Sequence, residues 1–198
     1  MKILIEDIEN KLDYKFKRNF TSIGIDTAQI SGVCFLKTDN EYLYIDSLVL
    51  SFKTKYHKEI YETMVKTFDR LFKNEDLAII EEVFVGFSRA GSVELAKYGA
   101  FAIADCIKKN IPYETISAVS ARSKFKINSQ KYGKGKSKLA VADFVHDLGI
   151  NLKDNNAVDA FVLALCGLCE CMDFNKPIKK IKKKKSVKKS KRKNERKK

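Results

Sequence analysis

Acidic side chains stand at three places in this sequence where acids are costly. Asp26 closes an apolar, β-branched run (TSIGID), and Glu81 and Glu82 close a second (LAIIEE). Asp159 interrupts a third apolar stretch, NAVDAFVLAL, with Asn156 one helical turn before it. A carboxylate at the tip of a buried strand or inside an apolar helix has to be paired, ligated or neutralised. Each has a plain structural reading when taken alone: a turn Asp, a solvated strand end, a hydrogen-bonded buried Asp. Taken together they suit Mg²⁺ or Mn²⁺, hard cations that prefer oxygen ligands and accept phosphate oxygens. Two such ions about 4 Å apart can activate a water and stabilise the leaving oxygen of a phosphodiester. Strand side chains alternate, so only one of Glu81 and Glu82 shares the face of Ile79.

The elements that must position these residues follow from periodicity. Residues 21–36 predict a strand, a tight connection and a second strand, and 41–51 predict a third, together an antiparallel meander. Residues 56–72 keep Ile60, Met64, Phe68, Leu71 and Phe72 on one helical face. A crossover of that length permits a parallel strand next, over 77–84. A helix over 88–109 follows, with Gly99 marking close packing on the sheet, then a fifth strand over 112–116. The last helix, 156–172, is apolar nearly all round and must be covered on every side. Residues 1–19 place Ile5, Ile8, Leu12 and Phe16 at helical spacing and read as an amphipathic helix or arm. If the first and fourth strands pair, Asp26 and Glu81 share one edge of the sheet, and the last helix can bring Asp159 beside them.

Charge divides the chain differently. The formal net charge is +14, and residues 176–198 hold all of it; the rest is balanced. Residues 20–175 therefore read as one globular domain, and 176–198 as a disordered polybasic tail that cannot offset its ordering entropy by burial. Such a tail suits a polyanion, although import signals and anionic membrane surfaces attract the same composition. A second basic stretch, 124–138, carries six lysines, no acid, and Phe125 and Tyr132, and reads as a mobile loop with stacking groups. The five cysteines include Cys166, Cys169 and Cys171 on an apolar helix; they read as buried small side chains and not as a metal site. No secretory leader and no membrane-length apolar run is evident, which predicts a reducing, intracellular setting.

Four motifs in order, GIDT, IEEVF with a following KYGAFA helix, IPYETI, and NAVDAFVLAL after a basic loop, resemble the RuvC-type Holliday junction resolvases of the RNase H-like superfamily. The resemblance covers about residues 21–170. It implies an α/β, RNase H-like fold with a five-stranded mixed sheet flanked by helices. It also implies paired hydrolysis of four-way DNA junctions by a homodimer with Mg²⁺ or Mn²⁺, two ions per site. Asp26, Glu81 and Asp159 correspond to metal ligands, and Lys138, or Lys136, to a basic residue near the scissile phosphate. Asn156 stands where the family has a fourth acid; it can ligate through its carbonyl oxygen but brings no charge, and Asp154 or Asn155 could assist. Phe84 resembles an aromatic at the junction point. Arg89, Arg122, Lys124, Lys126, Lys131, Lys134 and Lys136 are the candidate DNA contacts. The implied location is a bacterial or viral host cytoplasm, with nucleus or organelle open because of the tail. The acids equally suit an RNase H-fold nuclease acting on hybrids or other branched DNA. A non-catalytic DNA-binding relative is a third reading. An actin-like ATPase, which GIDT could also open, lacks a second phosphate loop and enough chain.

Overall fold

A computed structural model of the chain describes residues 1–52, 54, 56–83, 89–133 and 135–170. The polybasic tail, Cys171, Phe84 and Lys134 lie outside the described residues. The element order is β1 (Lys2–Leu4), α1 (Ile5–Leu12), β2 (Thr21–Asp26), β3 (Ile30–Thr38), β4 (Tyr42–Ser51), α2 (His57–Leu71), β5 (Leu77–Glu81), α3 (Arg89–Lys108), β6 (Tyr113–Ile116), α4 (Ala118–Lys124), α5 (Ser137–Asp147) and α6 (Asn155–Leu168). The strands form one mixed sheet in the order β1-β4-β3-β2-β5-β6. β2, β3 and β4 are the antiparallel meander, while β5 and β6 join parallel to β2 through the crossovers α2 and α3.

Helices cover both faces, because the central strands are buried on both, β2 with Ile23 and Ile25 on one face and Ser22 and Gly24 on the other. Ile23, Ile25, Ala78 and Ile80 pack under α2 and α3 with Phe68, Phe72 and Ala102. The alternate positions Cys34, Leu36 and Ile79 face α6, with α1, α4 and α5 completing that layer. α6 is buried from Ala157 to Leu168 except at Asp159. That covering on every side is what its uniform apolarity demands.

Three expectations need correction. The sheet has six strands, not five: Lys2–Leu4 pair antiparallel with Tyr42–Tyr44 at its edge. Three residues are too few to show a period of two, and Ile5 and Ile8 are genuinely helical. The fourth apolar strand ends at Glu81, and Glu82 is already exposed. The basic stretch 124–138 is no open loop: Lys124 ends α4, residues 130–132 form a 3₁₀ turn, and Lys138 lies in the first turn of α5. Phe125 is buried between Tyr14 and Phe144, at ring-centroid separations of 5.7 and 5.8 Å, so it is core and not a stacking group.

The segment between α1 and β2 fastens the far end of α6. Phe16 bridges Cys169, the Lys17 amide donates to the Leu168 carbonyl at 2.9 Å, and the Glu170 amide donates to that of Lys15 at 3.0 Å. Glu9 holds this turn, accepting from Lys15 Nζ (2.9 Å), Arg18 (2.7 Å) and the Phe16 amide (2.8 Å). Burial alone would raise the Glu9 pKa, but these donors outweigh it and bring it from 4.5 to about 2. A depressed acid contributes stability above its unfolded pKa and loses it as pH falls through the folded one. The shift corresponds to about 3 kcal/mol, less whatever solvent screens at exposed Lys15. Glu9→Gln should therefore lower stability by that order at pH 6. In urea melts the gap to wild type should close between about pH 4.5 and pH 2.

Candidate active site

Asp26 and Glu81 are brought together by strand register. β2 and β5 pair Ile25 with Ile80, so Asp26 and Glu81 are the next residues along two parallel neighbours. Alternation turns both toward the α6 face, as it does Gly24 and Ile79. Glu82, whose amide donates to Ile116 at 2.9 Å, is exposed.

α6 reaches them because glycines admit it. A Cβ on Gly24 would fall on the Ala160 carbonyl and the Ala164 amide, and one on Gly32 on the Asn156 carbonyl. Gly167 in turn lies against Ser22. The helix backbone thus rests almost directly on β2 and β3, which sets Asp159 beside the strand ends. Reading GIDT for its aspartate alone misses this; a glycine beside a ligand position in a central strand is the available signal.

The electrostatics show how close the acids are. The Asp26 pKa is raised, first by burial, then by the side-chain hydrogen bond with Glu81 and by the charges of Glu81 and Asp159. Lys138 opposes that rise from the first turn of α5. Asp159 has its own partner: Arg122, in the last turn of α4, donates to Oδ1 at 2.9 Å. The pair is largely enclosed, with 17% of the Arg122 and 13% of the Asp159 side chain exposed, in a crevice lined also by Glu81, Ala118 and Ala121.

The remaining candidates are dispersed. Asn156 lies in the first turn of α6, three residues before Asp159; its backbone amide donates to Asp154 Oδ1 at 2.7 Å and its carbonyl lies over Gly32. Asp154 is committed as the N-cap of α6. Arg122 and Lys126 line a groove of about 450 Å³ with Asn128, Gln130 and Ser137. Lys131 lies over the Tyr132 ring, 5.1 Å from its centroid, and the Tyr132 hydroxyl donates to Asp143 at 2.6 Å. The Lys124 carbonyl accepts from the Tyr14 hydroxyl, Lys136 precedes α5 without a side-chain capping bond, and Arg89 opens α3. Cys166 and Cys169 are buried, and burial pushes the Cys166 thiol up to about 12.

Among the described residues no three Asp, Glu, His or Cys side chains are drawn together as a ready metal-ligand set. The chemistry of the donors nevertheless fits a divalent cation. Asp26 and Glu81 share a hydrogen bond within electrostatic reach of Asp159, and a cation beside them would relieve the raised Asp26 pKa. No helix among the described residues is long and apolar enough to cross a membrane.

No protein-family model matches the chain, and no curated protein matches it in sequence. Solved structures do. Thermus thermophilus RuvC in complex with a Holliday junction substrate superposes with a TM-score of 0.58 at 12% identity, covering 74% of this chain and 90% of that one. A second Thermus thermophilus RuvC structure gives 0.54 at 14% identity, covering 76% and 98%. The yeast mitochondrial Holliday junction resolvase Ydc2 gives 0.43 at 15% identity, covering 79% and 81%. With a mixed sheet, helices on both faces and acids at the ends of its central strands, the chain has the RNase H-like α/β fold of RuvC.

Proposed function

We propose that this protein is a divalent-metal-dependent endonuclease that cuts branched DNA, four-way junctions above all, and acts as a homodimer. What supports the reading is the placement of Asp26 and Glu81 at the adjacent ends of β2 and β5, within electrostatic reach of Asp159 on α6, on the fold of RuvC. RuvC has itself been solved on a Holliday junction substrate. Asp26, Glu81 and Asp159 would hold Mg²⁺ or Mn²⁺, with Asn156 able to add a neutral oxygen. When bound, the metal supplies Lewis-acid activation of water and charge stabilisation at the scissile phosphate. Lys138 adds a positive charge to the same site, where it can oppose charge accumulating on the phosphate. Lys126 would position the backbone along the groove it lines and carry no sequence information. The twofold symmetry of a homodimer would match two strands cut symmetrically.

The test is incubation of purified protein with end-labelled four-way junction, linear duplex and RNA–DNA hybrid, each in Mg²⁺ and in EDTA. Paired nicks in the junction, dependent on Mg²⁺, are expected. Preferential cleavage of the hybrid would replace this reading with an RNase H activity. No cleavage of any substrate in Mg²⁺ or Mn²⁺ would leave only a DNA-binding role.

A further inference from the structure

Arg122 does two things in this fold. Its guanidinium pairs with Asp159 in the crevice behind Glu81, and its side chain also lines the adjoining groove with Lys126, Asn128 and Gln130. The acids are therefore divided into two self-satisfied pairs, Asp26 with Glu81 and Asp159 with Arg122. That division explains why no three-ligand set is preassembled among the described residues. A guanidinium cannot be neutralised by losing a proton, so as long as Asp159 is ionised the pair is relieved only by movement. A divalent cation ligated by Asp159 would stand against the same carboxylate, and two cations so close repel strongly in a partly dehydrated crevice.

We propose that Arg122 and the divalent cation compete for Asp159. Cation binding displaces the guanidinium from the crevice into the adjoining groove, where a backbone phosphate of the nucleic acid becomes its partner. Arg122 is thus a positioning residue that holds Asp159 in place before the metal arrives and then moves to the substrate. Its fork of donors suits either oxyanion. The proposal rests on the endonuclease reading for the metal and the phosphate, but the competition itself needs no DNA.

The experiment is a Mn²⁺ titration of DNA-free protein by electron paramagnetic resonance at fixed pH and ionic strength. Arg122→Ala should bind Mn²⁺ about tenfold more tightly than wild type, a change of about 1.4 kcal/mol. Adding Asp159→Asn should erase that gain. Arg122→Gln, which keeps much of the side-chain volume, serves if the alanine variant melts below the assay temperature. A second measurement reads the destination. In Ca²⁺, the slope of log K against log salt for junction binding should fall by about one phosphate in Arg122→Ala, with no such change in EDTA. Mn²⁺ binding that is equal or weaker in both Arg122 variants overturns the competition and leaves the nuclease reading standing. An unchanged slope in Ca²⁺ overturns the move to the groove. If neither wild type nor variant binds Mn²⁺, and the junction is not cut, both readings fall.

Discussion

Asp26→Asn should abolish metal-dependent cleavage, by a thousandfold or more on the order of what such charge-stabilising groups supply, while making the metal-free protein more stable. Both effects have one origin. Asp26 is half-buried against Glu81 and within reach of the Asp159 charge, which with its loss of solvent raises its pKa above the ordinary 3.8. A raised acid favours the folded state only below its unfolded pKa and costs stability increasingly as pH climbs toward the folded value. The advantage of asparagine should accordingly widen from pH 5 to pH 8 in thermal melts with EDTA, and excess Mg²⁺ should shrink it. Asp159→Asn should lose cleavage equally but move stability the other way. It leaves the Arg122 guanidinium largely enclosed and without its carboxylate, at a cost of about 1–3 kcal/mol. Junction binding should survive in both variants. If both shift stability in the same direction, the division of the acids into two pairs is wrong.

Gly24→Ala should be nearly as damaging to cleavage, although it removes no functional group. The new methyl would fall on the backbone of α6 at Ala160 and Ala164, and main chain cannot rotate away as a side chain can. Relief requires lifting the helix that carries Asp159. Overpacking of this kind costs about 1–3 kcal/mol or more. A displacement of about 1 Å at a reacting centre costs on the order of a hundredfold in rate. Gly99→Ala is the control: only the Thr27 hydroxyl approaches that position, at 3.6 Å, so the substitution should be tolerated and should favour α3 by up to about 1 kcal/mol. Urea melts and junction cleavage of the two variants test the contrast. A Gly24→Ala protein with wild-type activity would mean that α6 does not need this close seat.

What could be read from the residues was whatever repeats. The strand pair around Asp26, the amphipathic α2 and the uniformly apolar α6 announce themselves by period, and the acids stand out because their neighbours are apolar. What escaped was either short or long-range. β1 is three residues held by main-chain pairing to β4, and α4 is seven, too brief for any period. Phe125 looked like a stacking group because lysines surround it in sequence, whereas its ring belongs to the core with Tyr14 and Phe144. The Arg122–Asp159 pair joins residues 37 apart, and nothing local to either marks the other. The seat for α6 depends on glycines whose neighbours come from the far end of the fold.

The distribution of the acids over β2, β5 and α6 has a consequence for synthesis. A chain still on the ribosome acquires the sheet and two of its acids well before α6, the last helix described, has emerged. At about 5–20 residues per second, many seconds separate Asp26 from Asp159. During that interval no fragment can bring Asp159 beside the two strand acids, so on the endonuclease reading proposed above an incomplete chain would not nick DNA. The same interval leaves Cys34, Leu36 and Ile79 without the helix that covers them. On that reading the nascent domain is harmless to DNA while it is vulnerable to aggregation, and both conditions end when one helix docks.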